Sequence, residues 1–307
     1  MFNHILFPID FSERSRALNK QVEWLAARFG SRVTLMHIFE IPFSWYAAGE
    51  ASFVNMECFD QLRESAEQRL KDYAIDVPEG RLQRIIAEGN AAPIITDWVN
   101  KHDVDLIVMA THGYGPLGGW LLGSVAGKVL HSTNCPVWTE SQIRATPHGY
   151  GISKIMCAIE MISEAVPLLQ FTGKLAQTLN ATVQLIHCVP EDQTIPNRHF
   201  DFDLHRRLMD AASVEIAKLQ TEAGTDFPLT VSKMEISDAV PAIGSEEGID
   251  LVVIGRGRMQ RPVGRFQSHA HNIVRHAPCP VLSYSLNQHA AASSPNGTER
   301  QPQFVEA

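Results

Sequence analysis

Apolar residues along this chain change period repeatedly. Ile5-Leu6-Phe7-Pro8-Ile9 is a short apolar run, and after it Leu18, Val22, Leu25 and Phe29 fall on the 4-3-4 spacing of one helix face. Ser31 to Ile38 follows as a strand-like stretch. Continued to residue 140, the pattern predicts strands at 3–9, 31–39, 81–88, 104–110 and 136–140, with helices at 13–29, 57–75, 91–101 and 124–132 between them. Leu106-Ile107-Val108-Met109 has no polar side, as a central strand covered on both faces requires.

The pattern then recurs. His4 to Asp10 aligns with Lys154-Ile155-Met156-Cys157-Ala158-Ile159-Glu160 at an offset of 150 residues, and the helix face after it with Leu168, Thr172, Leu175 and Leu179. Ser31–Ile38 matches Ala181–Cys188 at the same offset, Val104–Met109 matches Ile249–Ile254 at 145, and Asn134-Cys135-Pro136-Val137 matches Pro278-Cys279-Pro280-Val281 at 144. Five blocks in one order point to a duplication, and small loop deletions explain the drift. Strands alternating with helices build a parallel sheet with both faces covered. The predicted fold class is therefore α/β: two tandem doubly wound domains, each a five-stranded mostly parallel sheet with helices on both faces. The first domain is placed at 1–141, a linker at 142–152 and the second domain at 153–287. Residues 288–307 carry Ser-Ser-Pro-Asn-Gly and no apolar period, so a disordered tail is expected there.

Composition narrows the function. With 45% hydrophobic and 20% charged residues the chain reads as a soluble globular protein. A net charge of −8 and the absence of any Lys/Arg-rich run exclude a nucleic-acid backbone footprint, so a phosphate ligand would have to be held locally. No stretch approaches a transmembrane span and the start lacks a leader pattern, so no membrane insertion and a cytoplasmic location are expected. Five scattered cysteines without a CxxC fit a reducing compartment.

Ligands of an open parallel sheet bind beyond the carboxyl ends of its strands. There, after the run ending in Met109, lies Ala110-Thr111-His112-Gly113-Tyr114-Gly115-Pro116-Leu117-Gly118-Gly119-Trp120-Leu121-Leu122-Gly123-Ser124-Val125-Ala126. Its glycines allow close approach of backbone to an anion, and a helix starting near Ser124 aims free N–H groups at it. Plain helix capping by Ser124 is the alternative. Gly113-x-Gly115-x-x-Gly118 also matches a dinucleotide pattern, but after the wrong strand, and Val129 after Gly127-Lys128 rules out a Walker A loop. Asp10, at a strand end, could accept ribose hydroxyls, hold a phosphate-bridging divalent ion, or cap the helix starting near Ser12 or Glu13. His37 and His187 occupy equivalent strand ends without further ligands at metal spacing, which favours structural roles. The aromatic stretch from Ile41 to Phe59 reads as a lid, a partner surface or a packed segment.

These residues resemble the universal stress protein family, whose ATP-binding members carry G-x2-G-x9-G-[ST]; here the positions are Ala110, Gly113, Gly123 and Ser124, with alanine replacing only the first glycine. The resemblance spans nearly the whole chain twice. It implies an adenine nucleotide alpha hydrolase-like fold and an ATP site, with Mg2+ at the phosphates, in the first domain. Pro8, Ile9 and Asp10 would line the adenosine end with Asp10 near the ribose or phosphates, Ile38 would meet adenine through its backbone, Gly113, Gly123 and Ser124 would hold the triphosphate, and Met109, Ala110, His112, Val125 and Ala126 complete the implied nucleotide contacts. Asp10 is the candidate metal contact. The second domain departs: Ala158-Ile159-Glu160 replaces Pro-x-Asp, Gly255-Arg256-Gly257-Arg258 is one residue shorter, and Gln267-Ser268 replaces Gly-Ser, so its site is expected to be empty or altered. Arg256, Arg258, Arg261 and Arg265 read as a solvated basic loop or an anion contact.

The expected function is an ATP-binding stress or regulatory protein whose nucleotide alters interactions. No catalytic residue is evident, and His112 leaves room for slow hydrolysis. The resemblance further implies pairing of the two domains through their final strands around Val137 and Val281, with a homodimer as a further option. A non-nucleotide adaptor or small-ligand scaffold of the same fold is the alternative.

Overall fold

Short apolar runs and amphipathic helices bury each other only when the helices lie on the faces of a sheet. The computed structural model, which describes residues 1–40, 52–111, 122–140, 151–161, 165–189, 198–256, 265–286 and 304–306, shows this arrangement in both halves. The first half runs β1 (His4–Ile9), α1 (Glu13–Ala17), α2 (Asn19–Phe29), β2 (Arg32–Phe39), α3 (Ser52–Lys71), β3 (Leu82–Glu88), α4 (Ala91–Lys101), β4 (Leu106–Ala110), α5 (Ser124–Ser132) and β5 (Val137–Glu140). The second runs β6 (Lys154–Ala158), α6 (Ala165–Leu179), β7 (Thr182–Cys188), α7 (Arg198–Ala223), β8 (Leu229–Ser232), α8 (Ile236–Glu246), β9 (Leu251–Arg256), α9 (Arg265–His276) and β10 (Val281–Ser285), and β11 (Phe304–Glu306) follows. The predicted linker 142–152 lies outside the described residues over 142–150.

Two compact units result, Phe2–Val137 with Ala292–Ala307, and Trp138–Ala291. In the first, β1 lies between β2 and β4 and β3 flanks β2, all parallel. Ile5, Leu6, Leu35, Leu106, Ile107 and Val108 are wholly buried, which explains the unbroken apolar run of β4. In the second unit, β6 lies between β7 and β9, with β8 beyond β7 and β10 beyond β9, again parallel. Trp138 and the residues after it in β5 group with this unit, where the Thr139 hydroxyl donates to the Val281 carbonyl at 3.2 Å.

The duplication reaches individual hydrogen bonds. Asp105 accepts the backbone N–H groups of Asn3 and His4 at 2.8 and 3.0 Å, and Asp250 accepts those of Ser153 and Lys154 at 2.9 and 3.0 Å. Each carboxylate satisfies donors at the start of the central strand of its unit. At the other end of those strands, His37 Nδ1–H donates to the Ile9 carbonyl and His187 Nδ1–H to the Ile159 carbonyl, both at 2.9 Å.

Three expectations are revised. The helix predicted at 13–29 is broken at Leu18, whose N–H reaches the Ser15 carbonyl at 3.2 Å in a tighter turn. The helix predicted at 57–75 spans Ser52–Lys71, because Tyr73 turns into the core, 6% exposed, with its hydroxyl donating to Asn19 at 2.7 Å. Within the expected disordered tail, Phe304–Glu306 forms β11, antiparallel to Ile85–Ala87 of β3, and satisfies edge groups that β3 would otherwise leave open. Residues 288–303 lie outside the described residues. Among the described residues no helix is long and apolar enough to cross a membrane.

Replacing Asp105 by Ala leaves two strand-end donors without their charged acceptor and is expected to cost about 1.5–3 kcal/mol in urea unfolding. A pH effect is expected at His4. Its ring is buried, with Nδ1 donating to the His102 carbonyl at 2.9 Å and Nε2 at 2.8 Å from the Thr34 hydroxyl. Burial, the largest influence, holds its pKa below 6.5, against the bond it donates to the His102 carbonyl and with Arg32, Asp105 and His102 as charged or titrating neighbours. The neutral ring therefore contributes stability above 6.5 that is lost as pH falls through the lowered folded value. The loss of melting temperature on acidification should be smaller in His4→Gln than in the unsubstituted protein.

Candidate functional site

Strand order reverses between β1 and β4: the chain leaves β1 toward β2 on one side and returns as β4 on the other. Such a switch point opens a crevice beyond the carboxyl ends of the strands. Register fixes what meets there. Ile9 is opposite His37, which puts Asp10 level with Ile38, and the pairing of Ile5 with Leu106 and Leu6 with Ile107, carried forward, puts Ile9 level with Ala110. Pro8, Ile38 and Ala110 are half-buried there, whereas Ile9 and Met109 are buried.

The return from β4 to α5 is described only at its ends, and His112 and Gly113 lie outside the described residues. Its two ends meet: Gly123 N–H donates to the Thr111 carbonyl at 2.7 Å. Gly123, not Ser124, is the N-cap of α5, and no side chain caps that helix. Ser124 is therefore the first helical residue, exposed, and plain capping by its hydroxyl does not occur. The amides of Ser124, Val125 and Ala126 sit in the first turn, where a helix has no internal acceptors for its N–H groups. With the positive end of the helix dipole, they present partial positive charge at the crevice.

Asp10 is held from one side. Its Oδ1 accepts the Ser12 N–H at 3.0 Å and the Ser15 hydroxyl at 2.5 Å. Ser12 itself caps α1 by accepting the Ser15 N–H at 3.1 Å, so Asp10 is a support for the cap and not the cap residue. Burial is the largest influence on the carboxyl and raises its pKa, but the bonds from Ser12 and Ser15 outweigh it and the net shift is downward. A carboxylate is thus kept ionised at the crevice. Among the described residues no three or more His, Cys, Asp or Glu side chains gather to hold a metal, so a cation here would need ligand oxygens as well.

Three residues around Asp10 (Phe11, Ser12 and Ser15) were not singled out as site residues from the sequence. Phe11 has φ +60° with its side chain buried. Its ring lies 4.3 Å from His37 and 6.1 Å from Tyr73, and the Arg69 guanidinium sits 4.2 Å from its centroid. His37 is kept neutral mainly by burial, with the Ile9 carbonyl opposing, Arg69 lowering and Asp10 raising its pKa. The shared 2.9 Å bonds of His37 and His187 to the Ile9 and Ile159 carbonyls give both rings a structural role as clasps. Ser12 and Ser15 could have been read from the spacing Asp10-x-Ser12-x-x-Ser15; Phe11 could not, since nothing in a phenylalanine announces a positive φ.

The second unit differs at the equivalent place. Gly255 stands where Ala110 stands, and a Cβ added to it would meet Leu286 at 3.2 Å and Leu168 at 3.3 Å. Helix α9 starts at Arg265, ahead of the Gln267-Ser268 pair that replaces Gly123-Ser124, so a turn of helix occupies what is loop in the first unit. The aromatic stretch lies outside the described residues over 41–51, as do Arg258 and Arg261.

Comparison with known proteins agrees with the fold. A family model described as the universal stress protein family matches residues 1–139 and 151–284. A universal stress protein A homolog of Haemophilus influenzae is 28% identical over 113 residues, covering 36% of this chain and 79% of its own. A universal stress protein of Mycobacterium tuberculosis is 23% identical over 232 residues, 73% of this chain and 78% of its own. Among solved structures, a universal stress protein from Archaeoglobus fulgidus superposes with a TM-score of 0.59 at 16% identity, covering 92% of this chain and 96% of the other.

The hydroxyl of Ser15 can be tested directly. Ser15→Ala should raise the Asp10 pKa toward 3.8, read by carboxyl-carbon NMR titration. Because the folded value lies below the unfolded one, Asp10 stabilises the fold above 3.8 and that contribution fades as pH falls through the folded pKa; Ser15→Ala should shrink it.

Proposed function

Since the chain belongs to the universal stress protein family in both of its halves, we propose that it is an ATP-binding regulatory protein of the stress response, with the nucleotide held by the first unit. The observation that carries this reading is the uncapped start of α5 facing the switch point at which Asp10 is held ionised. Free first-turn amides at Ser124, Val125 and Ala126 suit phosphate oxygens, and Gly123 lets them approach. Asp10 Oδ2, clear of the bonds that fix Oδ1, is available to a ribose hydroxyl or to Mg2+ shared with the phosphates. Ile38 and the half-buried edge at Pro8 and Ala110 supply an apolar, backbone-lined wall for adenine. His112 and Gly113 complete the phosphate loop in this reading.

Rapid turnover is not part of the proposal. The described hydroxyl that donates to the Asp10 carboxylate, that of Ser15, is buried in the cap of α1, so occupancy acts by changing what the protein contacts. Slow hydrolysis would fall to His112. The second unit serves as a scaffold in this reading, since Gln267-Ser268 lie inside α9 where the first unit has the Gly123-Ser124 helix start. Free cysteines at Cys135, Cys157, Cys188 and Cys279 support a reducing compartment such as the cytoplasm.

Calorimetric titration with ATP and Mg2+ is expected to give one site per chain. Gly123→Val and Asp10→Ala should each weaken binding about tenfold or more, equivalent to roughly 1.4 kcal/mol. Undiminished binding by Gly123→Val would place the nucleotide elsewhere, and absence of binding would favour an adaptor built on the same fold.

A further inference from the structure

Outside glycine, the described residues with positive φ are Phe11, Asp103 and Asn180. Asp103 and Asn180 follow helix ends, where short polar side chains adopt this conformation readily. Phe11 has no such excuse. A bulky side chain at φ +60° is strained, and strain of this kind persists only where its surroundings over-determine it. Those surroundings are specific: the His37 ring, the Tyr73 ring and the Arg69 guanidinium all lie against the Phe11 ring.

What the strained conformation accomplishes is visible on either side of it. Phe11 is the residue spanned by the bond from Ser12 N–H to Asp10 Oδ1, and in this structure its left-handed backbone stands between that carboxylate and the Ser12 N–H and Ser15 hydroxyl that meet it. Ser12 itself is extended, φ −68° and ψ 162°. The second unit is an internal control. It keeps the histidine clasp, from His187 to the Ile159 carbonyl, but has Glu160 and Met161 in place of Asp10 and Phe11. Met161 is 44% exposed and is not among the residues with positive φ. The clasp is thus common to both units, whereas among the described residues the positive φ directly after the strand-end carboxylate occurs at Phe11 and not at Met161.

We propose that Phe11 is a positioning residue of the nucleotide site: its ring, gripped by His37, Arg69 and Tyr73, holds the backbone in the left-handed turn that fixes the Asp10 carboxylate for the ligand. The proposal rests on the reading of the first unit as a nucleotide site. It makes His37 the inner wall of the grip, through its bond to the Ile9 carbonyl, and Arg69 the outer wall.

The order of two substitutions tests it. Glycine permits positive φ without enforcing it, whereas alanine disfavours it, so Phe11→Gly should weaken ATP binding about threefold and Phe11→Ala roughly tenfold or more. If Phe11 only fills volume, alanine, which keeps a Cβ, should do no worse than glycine; equal losses or the reverse order would overturn the proposal. The Asp10 titration by carboxyl-carbon NMR gives a readout that needs no nucleotide: its pKa should move toward 3.8 in Phe11→Ala and less in Phe11→Gly. If the unsubstituted protein binds no ATP, the nucleotide reading fails while the Asp10 titrations still decide whether Phe11 sets the carboxylate. Should both small variants fail to fold, Phe11→Leu keeps most of the volume without the ring. It is expected to raise the Asp10 pKa, and an unchanged titration would overturn the proposal.

Discussion

The last carbonyl of a central strand needs an acceptor's partner just where the chain must leave the sheet, and in this protein a histidine side chain provides it. His37 in the first unit and His187 in the second donate Nδ1–H to the carbonyls of Ile9 and Ile159 at the same distance, 2.9 Å. A buried carbonyl without a donor would cost about 1–3 kcal/mol, so the bond fixes where β1 and β6 stop. Everything at the crevice is measured from that point: the level of Asp10 against Ile38, the turn at Phe11 and the cap of α1. At the opposite end of the same strands the carboxylates of Asp105 and Asp250 receive the first amides. Each central strand is thus pinned at both ends by a side chain from a neighbouring element.

With that frame held in common, the two units diverge where the frame does not dictate the sequence. Beyond β4 the chain closes through Gly123 onto Thr111 and leaves the start of α5 uncapped. Beyond β9 it passes Gly255, packed by Leu168 and Leu286, and enters a helix that begins earlier. The same sheet frame thus tolerates a different loop and helix start beyond its central strands, because the frame's hydrogen bonds do not run through them.

Much of this was legible in the residues alone. Short apolar runs between stretches of helical period located the strands of the first half within about two residues, since burial on both faces of a parallel sheet leaves no polar side. The repeat was plain because Val104-Asp105 and Ile249-Asp250, like His37 and His187, serve identical hydrogen bonds. Helix ends were read less well: the break at Leu18 and the stop at Lys71 depend on Ser15 and Tyr73 finding partners distant in sequence or outside the helical pattern. Asp10 and the Gly123-Ser124 step were visible as candidate chemistry, and the alternative of plain capping by Ser124 could be dismissed only from the structure, where Gly123 is the cap and contributes backbone alone. Phe11 was invisible, for what sets it apart is a dihedral angle, and nothing in the residue type announces it.

The short strand β11 carries a consequence for biosynthesis. It belongs to the first unit but comes after the whole of the second in the chain, pairing with β3 through Phe304, Val305 and Glu306. A ribosome translating the message releases β1 to β5 long before it reaches those residues. Throughout that interval the β3 edge, with Ile85 and Ile86, has no strand beside it on that side, and nascent chains on neighbouring ribosomes can pair with it. The first unit therefore reaches its final hydrogen-bonded outline only after the second has been made, so its protection from aggregation is a late event of synthesis.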